Sequence, residues 1–573
     1  MLQTLTTPRG ETLSGTPWQV YPRPQMRRDS YINLNGEWDF AVSSEKPATF
    51  DMGITVPFCP ESRLSGIGRH FEEGAPLWYR RKFVLPEGFR RERVLLHIGA
   101  ADQTAEVFVN GQHLCRHEGG YASFSVDITE ALAEENELVI RCTDDLRDQA
   151  FPYGKQVRNR GGMWYTPVSG IWQTVWLESV PEAYIEKLNI ENHGASVTIS
   201  TVPPLEGTVN VEQLGQFPLE NGRVTIAPEN PRFWCPDNPY LYRFALETAQ
   251  DRVESYFAIR SLEIKKVGEY PRLCLNGKPW FFHGLLDQGY WPEGLLTAPA
   301  PESYADDILA MKRLGFNTLR KHIKVEPEEF YYQCDRLGMI VWQDMVNNGS
   351  YSYFRDTVLP TVGIQKRNDR RLHRDERSRN AFRQGAADAV NQLKNHPCIC
   401  YWTIFNEGWG QFDSDRVCGW FRTLDATRFI DTTSGWFRGK NTDVDSRHQY
   451  FGKLRLTGDG LRPLVLSEFG GKTWRVEGHI FNPDKTYGYG ACPTRDALNE
   501  AVAALYRESI VPAVEKGLCA AIYTQVSDVE DEVNGLMTYD RRVVKPDGDT
   551  MLPIAQALRD AMEKTVASFE KMG

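Results

Sequence analysis

The sequence predicts a multidomain protein made of a jelly-roll β-sandwich, an immunoglobulin-like β-sandwich and a (β/α)8 barrel. Its 573 residues allow about three or four domains at roughly 150 residues each. Up to about residue 265, short runs of alternating apolar and polar residues are separated by turn residues, which is typical of β-sandwiches. After about residue 270, strand-like runs alternate with amphipathic helical runs, which is typical of a barrel of parallel strands.

Residues 1–180 form the predicted jelly roll, a sugar-binding-like β-sandwich. Asn110-Gly111 is a strong hairpin signal, because both positions of a two-residue turn favour residues that tolerate positive φ. The predicted strands are Glu37–Phe40, Leu77–Val84, Val94–Ile98, Ala105–Val109, Phe124–Ile128 and Leu138–Cys142. Period-two runs at this spacing indicate a sandwich.

Residues 181–268 form the second predicted domain, and about 85 residues suit an immunoglobulin-like sandwich. Its strands are expected at Ser196–Ser200, Thr208–Val211 and Tyr242–Glu247. The sequence contains no repeat of fixed period and no low-complexity linker, so the domains are expected to pack directly on one another.

Residues 269–573 form the predicted catalytic barrel, in which the active site lies at the carboxyl ends of the strands. Its eight strands are expected at Trp280–Leu286, Asn317–His322, Ile340–Asp344, Cys400–Glu407, Phe429–Gly435, Ser446–Tyr450, Leu464–Gly470 and Ala521–Gln525. Helices are expected at Tyr304–Leu314, Pro327–Leu337, Asn380–Lys394, Val417–Leu424 and Arg495–Glu515.

Charge and composition exclude several classes of function. The net charge is −10 and no cluster of lysine and arginine is present, so nucleic acid is not an expected partner. No run approaches about 18 uncharged apolar residues and the first residues lack the features of a signal peptide, so a soluble, cytoplasmic protein without membrane contact is expected. The 11 cysteines suit reduced core thiols, and Cys398 and Cys400 are expected to pack in a strand rather than bind zinc. A homo-oligomer stays an open alternative.

Two glutamates stand out among the residues that close the predicted barrel strands. Glu407 ends the fourth strand and Glu468 lies near the end of the seventh, each within two residues of a glycine. These strands lie on opposite sides of a barrel, so the two carboxylates can face each other across its mouth, an arrangement that cleaves glycosidic bonds. The alternative, that each glutamate is a helix cap or an ion-pair partner, accounts for one such residue better than for two.

Polar residues at other strand ends are candidates for substrate binding. Arg320 and Tyr450 are expected to keep a carboxylate nucleophile ionised, through charge and hydrogen bonding. His283 and His322 are more often structural at such positions, each holding a neighbouring loop. Further candidate substrate-binding residues are Asn406, His448, Trp409, Trp474 and Gln525.

For Asp287 and Asp344, two roles are equally expected: contact with sugar hydroxyls and internal ion pairing. Two long aromatic loops, residues 345–371 after the third strand and 471–490 after the seventh, are expected to shape the pocket, since long loops in compact domains are usually functional. The acidic segment 525–535 after the eighth strand either closes the sugar site or is a solvated loop.

Several motifs are spread over nearly the whole chain: Asn33-Leu34-Asn35-Gly36-Glu37-Trp38, Val109-Asn110-Gly111, Gly170-Ile171-Trp172, Asn395-His396-Pro397, Asn406-Glu407-Gly408-Trp409 and Ser467-Glu468-Phe469-Gly470. Together they resemble glycoside hydrolase family 2, the family of β-galactosidases, β-glucuronidases and β-mannosidases. The resemblance implies a retaining exo-β-glycosidase with Glu407 as acid/base and Glu468 as nucleophile. It further implies that Asn406 contacts the sugar 2-hydroxyl and that Tyr450 neighbours the nucleophile.

The sequence departs from the family where the sugar is recognised. Many β-galactosidases and β-glucuronidases have Arg followed by Ser-His-Tyr-Pro after the second strand, where this chain has Arg320-Lys321-His322-Ile323-Lys324-Val325-Glu326-Pro327. The glucuronidase signature Asn-x-Lys is absent after Glu468, so a neutral sugar is expected, with a β-galactoside as the first choice. A β-glucuronidase and a furanosidase for galactofuranose or arabinofuranose are the alternatives. Lys324 is expected to pair with Glu326 rather than with an acidic substrate.

Two other classes of function are alternatives to a glycosidase. A carbohydrate-binding protein that has lost catalysis would not need both glutamates. A metal-dependent hydrolase would need converging ligands, which His283, His322 and His448 could supply. We expect a carbohydrate substrate, no cofactor and no metal ion.

Overall fold

The computed structural model describes residues 2–364, 368–454 and 456–570. Antiparallel sheets make up the first half of the chain, and an eight-stranded parallel sheet with helices makes up the second. The predicted fold class, two sandwiches followed by a barrel, is therefore confirmed. Among the described residues, no helix combines the length and the apolar character that crossing a membrane requires.

The first sandwich packs a four-stranded sheet against a six-stranded sheet. In spatial order the sheets are Tyr31–Asn33, Val175–Val180, Arg93–Ile98 and Phe124–Asp127, then Met52–Val56, Gly36–Val42, Leu77–Phe83, Asn136–Thr143, Thr104–Val109 and Gln112–Glu118, with a short pair Ala101–Asp102 and Gly170–Ile171 beside them. Phe40, Leu96 and Ile140 belong to the buried core between the sheets. Asn110 and Gly111 join two strands at φ values of 51° and 82°, as the hairpin signal predicts.

The second sandwich is smaller and has its own core, which includes Ile199, Leu246 and Phe257. Its sheets are Lys187–Asn192, Val197–Val202 and Arg223–Ile226, then Gly215–Leu219, Gly207–Val211, Tyr242–Thr248 and Arg252–Phe257. A three-stranded sheet of Leu262–Val267, Tyr270–Leu275 and Lys278–Pro279 leads into the barrel.

Eight parallel strands form the barrel, and we number them along the chain. They are β1 (Phe282–Asp287), β2 (Thr318–Lys321), β3 (Ile340–Asp344), β4 (Ile399–Asn406), β5 (Phe429–Ser434), β6 (Asp445–Gln449), β7 (Leu464–Gly470) and β8 (Leu518–Thr524). Ladder hydrogen bonds join them in the order β5-β4-β3-β2-β1-β8-β7-β6. Where β5 meets β6, the Asp443 N–H donates to the Ile430 carbonyl at 2.9 Å. All eight strands lie where the sequence predicts them, with small shifts at their ends.

Helices surround the parallel sheet. Their bounds are Glu302–Arg313, Glu328–Leu337, Glu376–Leu393, Ser414–Phe421, Arg495–Leu505, Val511–Val514 and Gly548–Glu570, with short helical segments at Pro8–Thr12, Arg63–Ser65, Thr129–Ala131, Phe354–Val358, Leu359–Thr361, Asp369–Arg371 and Tyr506–Ile510. The sequence does not predict the last long helix, because Pro553 lies inside it and proline disfavours helix interiors.

One loop of the first sandwich, residues 144–169, docks across the carboxyl end of the barrel, and we call it the sandwich loop. The Gly349 N–H, in the segment after β3, donates to the Gln149 carbonyl at 2.8 Å. The Thr166 N–H donates to Glu530 Oε1, in the segment after β8, at 3.0 Å. The first domain therefore reaches the mouth of the barrel.

A buried ion cluster joins the first sandwich to the second. The Glu178 side chain is fully buried and accepts hydrogen bonds from Arg23 Nη2 at 2.6 Å and Arg28 Nη1 at 3.1 Å. Arg28 Nη2 also donates to Asp251 Oδ2 of the second sandwich at 2.8 Å. Burial opposes ionisation of Glu178, but nearby positive charges, led by Arg23, outweigh it and hold the pKa of Glu178 well below its usual value.

We expect Glu178→Ala to lower the free energy of unfolding by about 3 to 5 kcal/mol, the usual cost of leaving buried charges without their partner. Glu182→Ala is the matched control, because Glu182 pairs with Arg93 on the surface, where an ion pair contributes at most about 1 kcal/mol. Urea unfolding followed by circular dichroism measures both variants, and equal losses would contradict the expectation.

The contribution of Glu178 to the free energy of unfolding should depend on pH in a defined direction. Because the folded pKa of Glu178 is depressed, its stabilisation is present above the unfolded carboxyl pKa of about 4.3 and is lost as the pH falls from there toward the folded pKa. The difference in stability between wild type and Glu178→Ala should therefore shrink in acid.

Candidate active site

Two glutamates meet at the carboxyl end of the barrel. Glu407 directly follows β4, where a left-handed backbone (φ 53°) ends the strand, and Glu468 lies within β7. One carboxylate oxygen of each lies within 4.8 Å of the other, and a ring nitrogen of His448, from β6, lies within the same distance of both. The barrel thus brings together the two carboxylates that the strand-end argument selects.

Glu468 is the more buried carboxylate, with 5% of its side chain exposed against 19% for Glu407. Arg320 Nη1 donates to Glu468 Oε1 at 3.1 Å, and the Tyr450 hydroxyl donates to Oε2. Burial alone would raise the pKa of Glu468, but the charges of His448 and Arg320 outweigh it and hold that pKa well below the usual value. Glu468 is therefore ionised at neutral pH.

Arg320, on β2, connects the strand ends through its guanidinium and is completely buried. Its Nε donates to both oxygens of Asp344 at 3.0 and 3.1 Å, and its Nη2 donates to Asn406 Oδ1 at 2.9 Å. Its Nη1 also donates to the Ser467 carbonyl at 3.0 Å. One side chain therefore fixes residues of β3, β4 and β7 relative to one another.

His448 lies between the two carboxylates. Its Nδ1 is 2.8 Å from Glu407 Oε1, and its Nε2 is 3.6 Å from Glu468 Oε1 and 3.0 Å from Ser434 Oγ. Trp436 Nε1 donates to the Glu407 carbonyl at 3.0 Å, and its ring meets the His448 ring edge-on at 5.7 Å. Glu407 is thus held through both its backbone and its side chain.

The donor atoms of Glu407, His448 and Glu468 lie close enough together to hold a metal ion. The Arg320 guanidinium, 3.1 Å from Glu468, disfavours a second cation at the same carboxylate, because like charges repel strongly in a buried site. His322 has a separate partner, with its Nδ1 2.7 Å from Asp344 Oδ2. The histidines that a metal-dependent hydrolase would need do not converge here.

His283 does not lie at this site. β1 begins at Phe282, so His283 sits at the amino end of the strand, where its Nδ1 is 3.2 Å from the Gly315 carbonyl and its Nε2 is 3.2 Å from the Tyr506 hydroxyl. Burial lowers the pKa of His283 to about 3, so the ring stays neutral. This position corrects the prediction that His283 binds the sugar, since only the last residues of a barrel strand face the mouth.

Asp287 and Lys324 belong to a buried charge cluster beside β2. Lys321 Nζ lies 2.7 Å from Asp287 Oδ2 and 2.8 Å from Glu326 Oε1. Lys324 Nζ lies 2.9 Å from the same Glu326 oxygen, which confirms the expected pairing of these two residues. Asp287 is engaged in internal pairing, as Asp344 is with Arg320 and His322.

Aromatic side chains pack on one another near the two glutamates, and one of them comes from the first domain. Tyr450 stacks on Tyr489 with ring centroids 3.9 Å apart. Trp409, two residues after Glu407, meets the ring of Trp164 edge-on at 5.1 Å. Trp164 belongs to the sandwich loop, and strand-end reasoning misses it because a residue of one domain carries no local signal of contact with another.

The acidic segment 525–535 is buried throughout, so it is not a solvated loop. Gln525 Nε2 donates to Asn534 Oδ1 at 2.8 Å, and the Tyr165 hydroxyl of the sandwich loop donates to Glu532. Trp474, from the loop after β7, is partly buried and packs against the core of the barrel.

Models of two domains of one family match this chain. The description "Glycosyl hydrolases family 2, TIM barrel domain" matches residues 266–454, and "Glycosyl hydrolase 2 galactose-binding domain-like" matches residues 70–162. A beta-galactosidase of Thermoanaerobacter pseudethanolicus is 24% identical over 415 residues, which cover 66% of this chain and 52% of that protein. A beta-glucuronidase of Chlorocebus aethiops is 25% identical over 559 residues, 79% of this chain and 80% of that protein.

Several of the curated relatives are much longer than this chain, which spans about half the length of the first three. Among solved structures, a beta-glucuronidase of an uncultured Clostridium superposes with a TM-score of 0.72 at 19% identity, over 95% of this chain and 100% of that one. A GH2 beta-galacturonidase from Eisenbergiella tayi superposes with a TM-score of 0.67 at 18% identity, over 94% and 98%. These structural likenesses show a shared fold.

We expect Tyr450→Phe to raise the pKa of Glu468, because the lost hydroxyl donates to the ionised carboxylate. The acidic limb of the pH profile of kcat/KM should move to higher pH, and kcat should fall about 10- to 100-fold, as for loss of a hydrogen bond to a charged group. Tyr487→Phe is the control, since the Tyr487 hydroxyl donates to Tyr489 and not to a carboxylate. An unchanged acidic limb in Tyr450→Phe would contradict this role.

Proposed function

We propose that this chain is a retaining exo-β-glycosidase that removes a terminal sugar by double displacement, because models of two domains of glycoside hydrolase family 2 match it. The observation that carries the proposal is the pair of unequal carboxylates, Glu407 and Glu468, with oxygens within 4.8 Å of each other. Retaining enzymes hold the two carboxyl groups about 5 to 5.5 Å apart, whereas inverting enzymes leave about 6.5 to 9.5 Å for a water molecule. The short separation supports retention.

In the first step Glu468 attacks the anomeric carbon as the bond from that carbon to the aglycone oxygen breaks. Glu407 gives its proton to the departing oxygen, and the sugar stays bound to Glu468 as an ester. The depressed pKa of Glu468 supports the role of nucleophile, because an attacking carboxylate must be ionised.

In the second step Glu407, now ionised, takes a proton from water. The water oxygen bonds to the anomeric carbon, the ester bond to Glu468 breaks, and the sugar leaves with its β configuration retained. His448 contacts both carboxylates that take part in this cycle: its Nδ1 lies 2.8 Å from Glu407 Oε1, and its Nε2 lies 3.6 Å from Glu468 Oε1. Asn406 Oδ1 already accepts from Arg320, which leaves the Asn406 amide N–H groups for the sugar 2-hydroxyl.

Two glycone classes fit the proposed chemistry. The missing Asn-x-Lys favours a neutral sugar, with a β-galactoside first, and a relative named beta-galactosidase agrees with it. The relatives and neighbours named beta-glucuronidase and beta-galacturonidase favour an acidic sugar. A panel of aryl β-glycosides of galactose, glucose, mannose, glucuronic acid, fucose and both ring forms of arabinose tests the proposal, and no turnover of any of them would contradict it.

Glu468→Ala should abolish turnover, and sodium azide should restore it on an activated aryl glycoside. Azide enters from the face that Glu468 vacates, so the product should be the α-glycosyl azide, which nuclear magnetic resonance identifies. A β-azide from this variant would reverse the assigned roles.

Glu407→Ala should spare the first step on a dinitrophenyl glycoside, because a good leaving group needs no proton. On an unactivated phenyl or alkyl glycoside the same variant should lose about 10²- to 10⁴-fold in kcat/KM, the usual contribution of general acid catalysis. Measured against leaving-group pKa, the variant's rates should fall steeply while wild-type rates change little. Equal losses on all leaving groups would argue against Glu407 as the acid.

A further inference from the structure

Lys155, in the sandwich loop, is a cation with no partner anion among the described residues. Its side chain is almost entirely buried, with 9% of the residue exposed. Within the described part of the chain its ammonium forms no ion pair or hydrogen bond, and its nearest defined contact is the face of the Trp164 ring, 5.6 Å away. Lysine is rarely buried unless it is paired, because removing a charge from water is costly.

The other buried lysines of the described residues follow that rule. Lys321 and Lys324 both meet Glu326, at 2.8 and 2.9 Å, and Lys545 meets Asp528 at 2.6 Å. Each of them lies beside a carboxylate that the fold supplies. Lys155 is therefore the exception, and its missing anion is not explained by folding alone.

One contact and two electrostatic effects point to the sugar pocket as the place of the Lys155 ammonium. Its charge acts on His322, whose ring bonds Asp344 behind the nucleophile, and lowers the pKa of that histidine after the larger effect of burial. It also acts on Glu532, in the buried segment after β8. Trp164, under the ammonium, touches Trp409 beside the proposed acid/base.

We propose that Lys155 binds an acidic group of the glycone, a uronate carboxylate, so that the substrates are β-uronides. This inference rests on the proposed exo-β-glycosidase function and decides between its two glycone classes. The carboxylate completes the ion pair that the fold leaves open, and a charge-assisted hydrogen bond fixes the sugar in the pocket.

Two other cations close to the strand ends already have partners. The donors of Arg320 are occupied by Asp344, Asn406 and Glu468. Lys324 is held by Glu326. A ligand carboxylate would meet the negative charge of Glu468 without compensation unless a positive charge faced it from another side, and Lys155 supplies that charge from the first domain.

The test compares pairs of p-nitrophenyl substrates that differ only at carbon 6, β-galacturonide with β-galactoside and β-glucuronide with β-glucoside. Wild type should prefer the acid by at least about tenfold in kcat/KM in one pair or both. Lys155→Met should lose about 100-fold or more on the acid and less than about threefold on the neutral sugar, and Lys155→Arg should retain most of the preference. Lys485→Met is the control. Lys485 is an exposed lysine in the loop after β7, and it lies beside Gly161 of the sandwich loop.

A wild-type preference for the neutral sugar in both pairs, or equal losses on acid and neutral sugars in Lys155→Met, would overturn this inference and leave the glycosidase function standing. If no aryl glycoside is turned over, the proposed function fails, and binding then decides the role of Lys155. Free galacturonate or glucuronate at millimolar concentration should raise the Tm of wild type but not of Lys155→Met, while galactose and glucose should not discriminate. No such shift would contradict the assignment.

The Tm without sugar separates binding from folding. Because Lys155→Met removes an unpaired buried charge, its Tm should equal or exceed that of wild type. A Tm several degrees lower would instead assign Lys155 a structural role and overturn the proposal.

Discussion

The active site depends on one buried guanidinium. Arg320 alone contacts Asp344, Asn406 and Glu468, which come from three different strands. A planar fork of five donors is required to meet three acceptors in fixed directions, and lysine could not replace it. The positive charge is costly to bury, but two carboxylates compensate it, and in return Glu468 keeps its negative charge in surroundings that would otherwise protonate it.

The carboxylate pair was predictable because two local signals coincide. Alternating and continuous apolar runs locate the barrel strands, and the rule that function gathers at their carboxyl ends then selects Glu407, Glu468, Arg320 and Tyr450. The rule fails for His283 because it needs the residue at which a strand ends, and β1 extends to Asp287. Proximity in sequence to a strand does not say which end of the barrel a side chain occupies.

The sandwich loop was not predictable from the sequence for a different reason. Trp164 meets Trp409, far away along the chain, and Tyr165 meets Glu532. Such contacts depend on how two domains pack, and the pattern of apolar residues along the sequence does not indicate domain packing. A search for Asn-x-Lys considers one stretch of the barrel, whereas the cation that we propose for the same role, Lys155, comes from another domain.

The docking of the sandwich loop on the barrel also bears on how such enzymes diverge. Bond cleavage belongs to strand ends whose side chains are locked to one another, so almost any replacement there is harmful. The loop belongs to a domain with a core of its own, but its Tyr153, Tyr165 and Val168 pack into the core of the barrel, so only its polar positions can change without disturbing that packing. In the proposed division of labour, a substitution at one polar position of this loop can therefore change which sugar is bound, while the residues that cleave the bond stay the same.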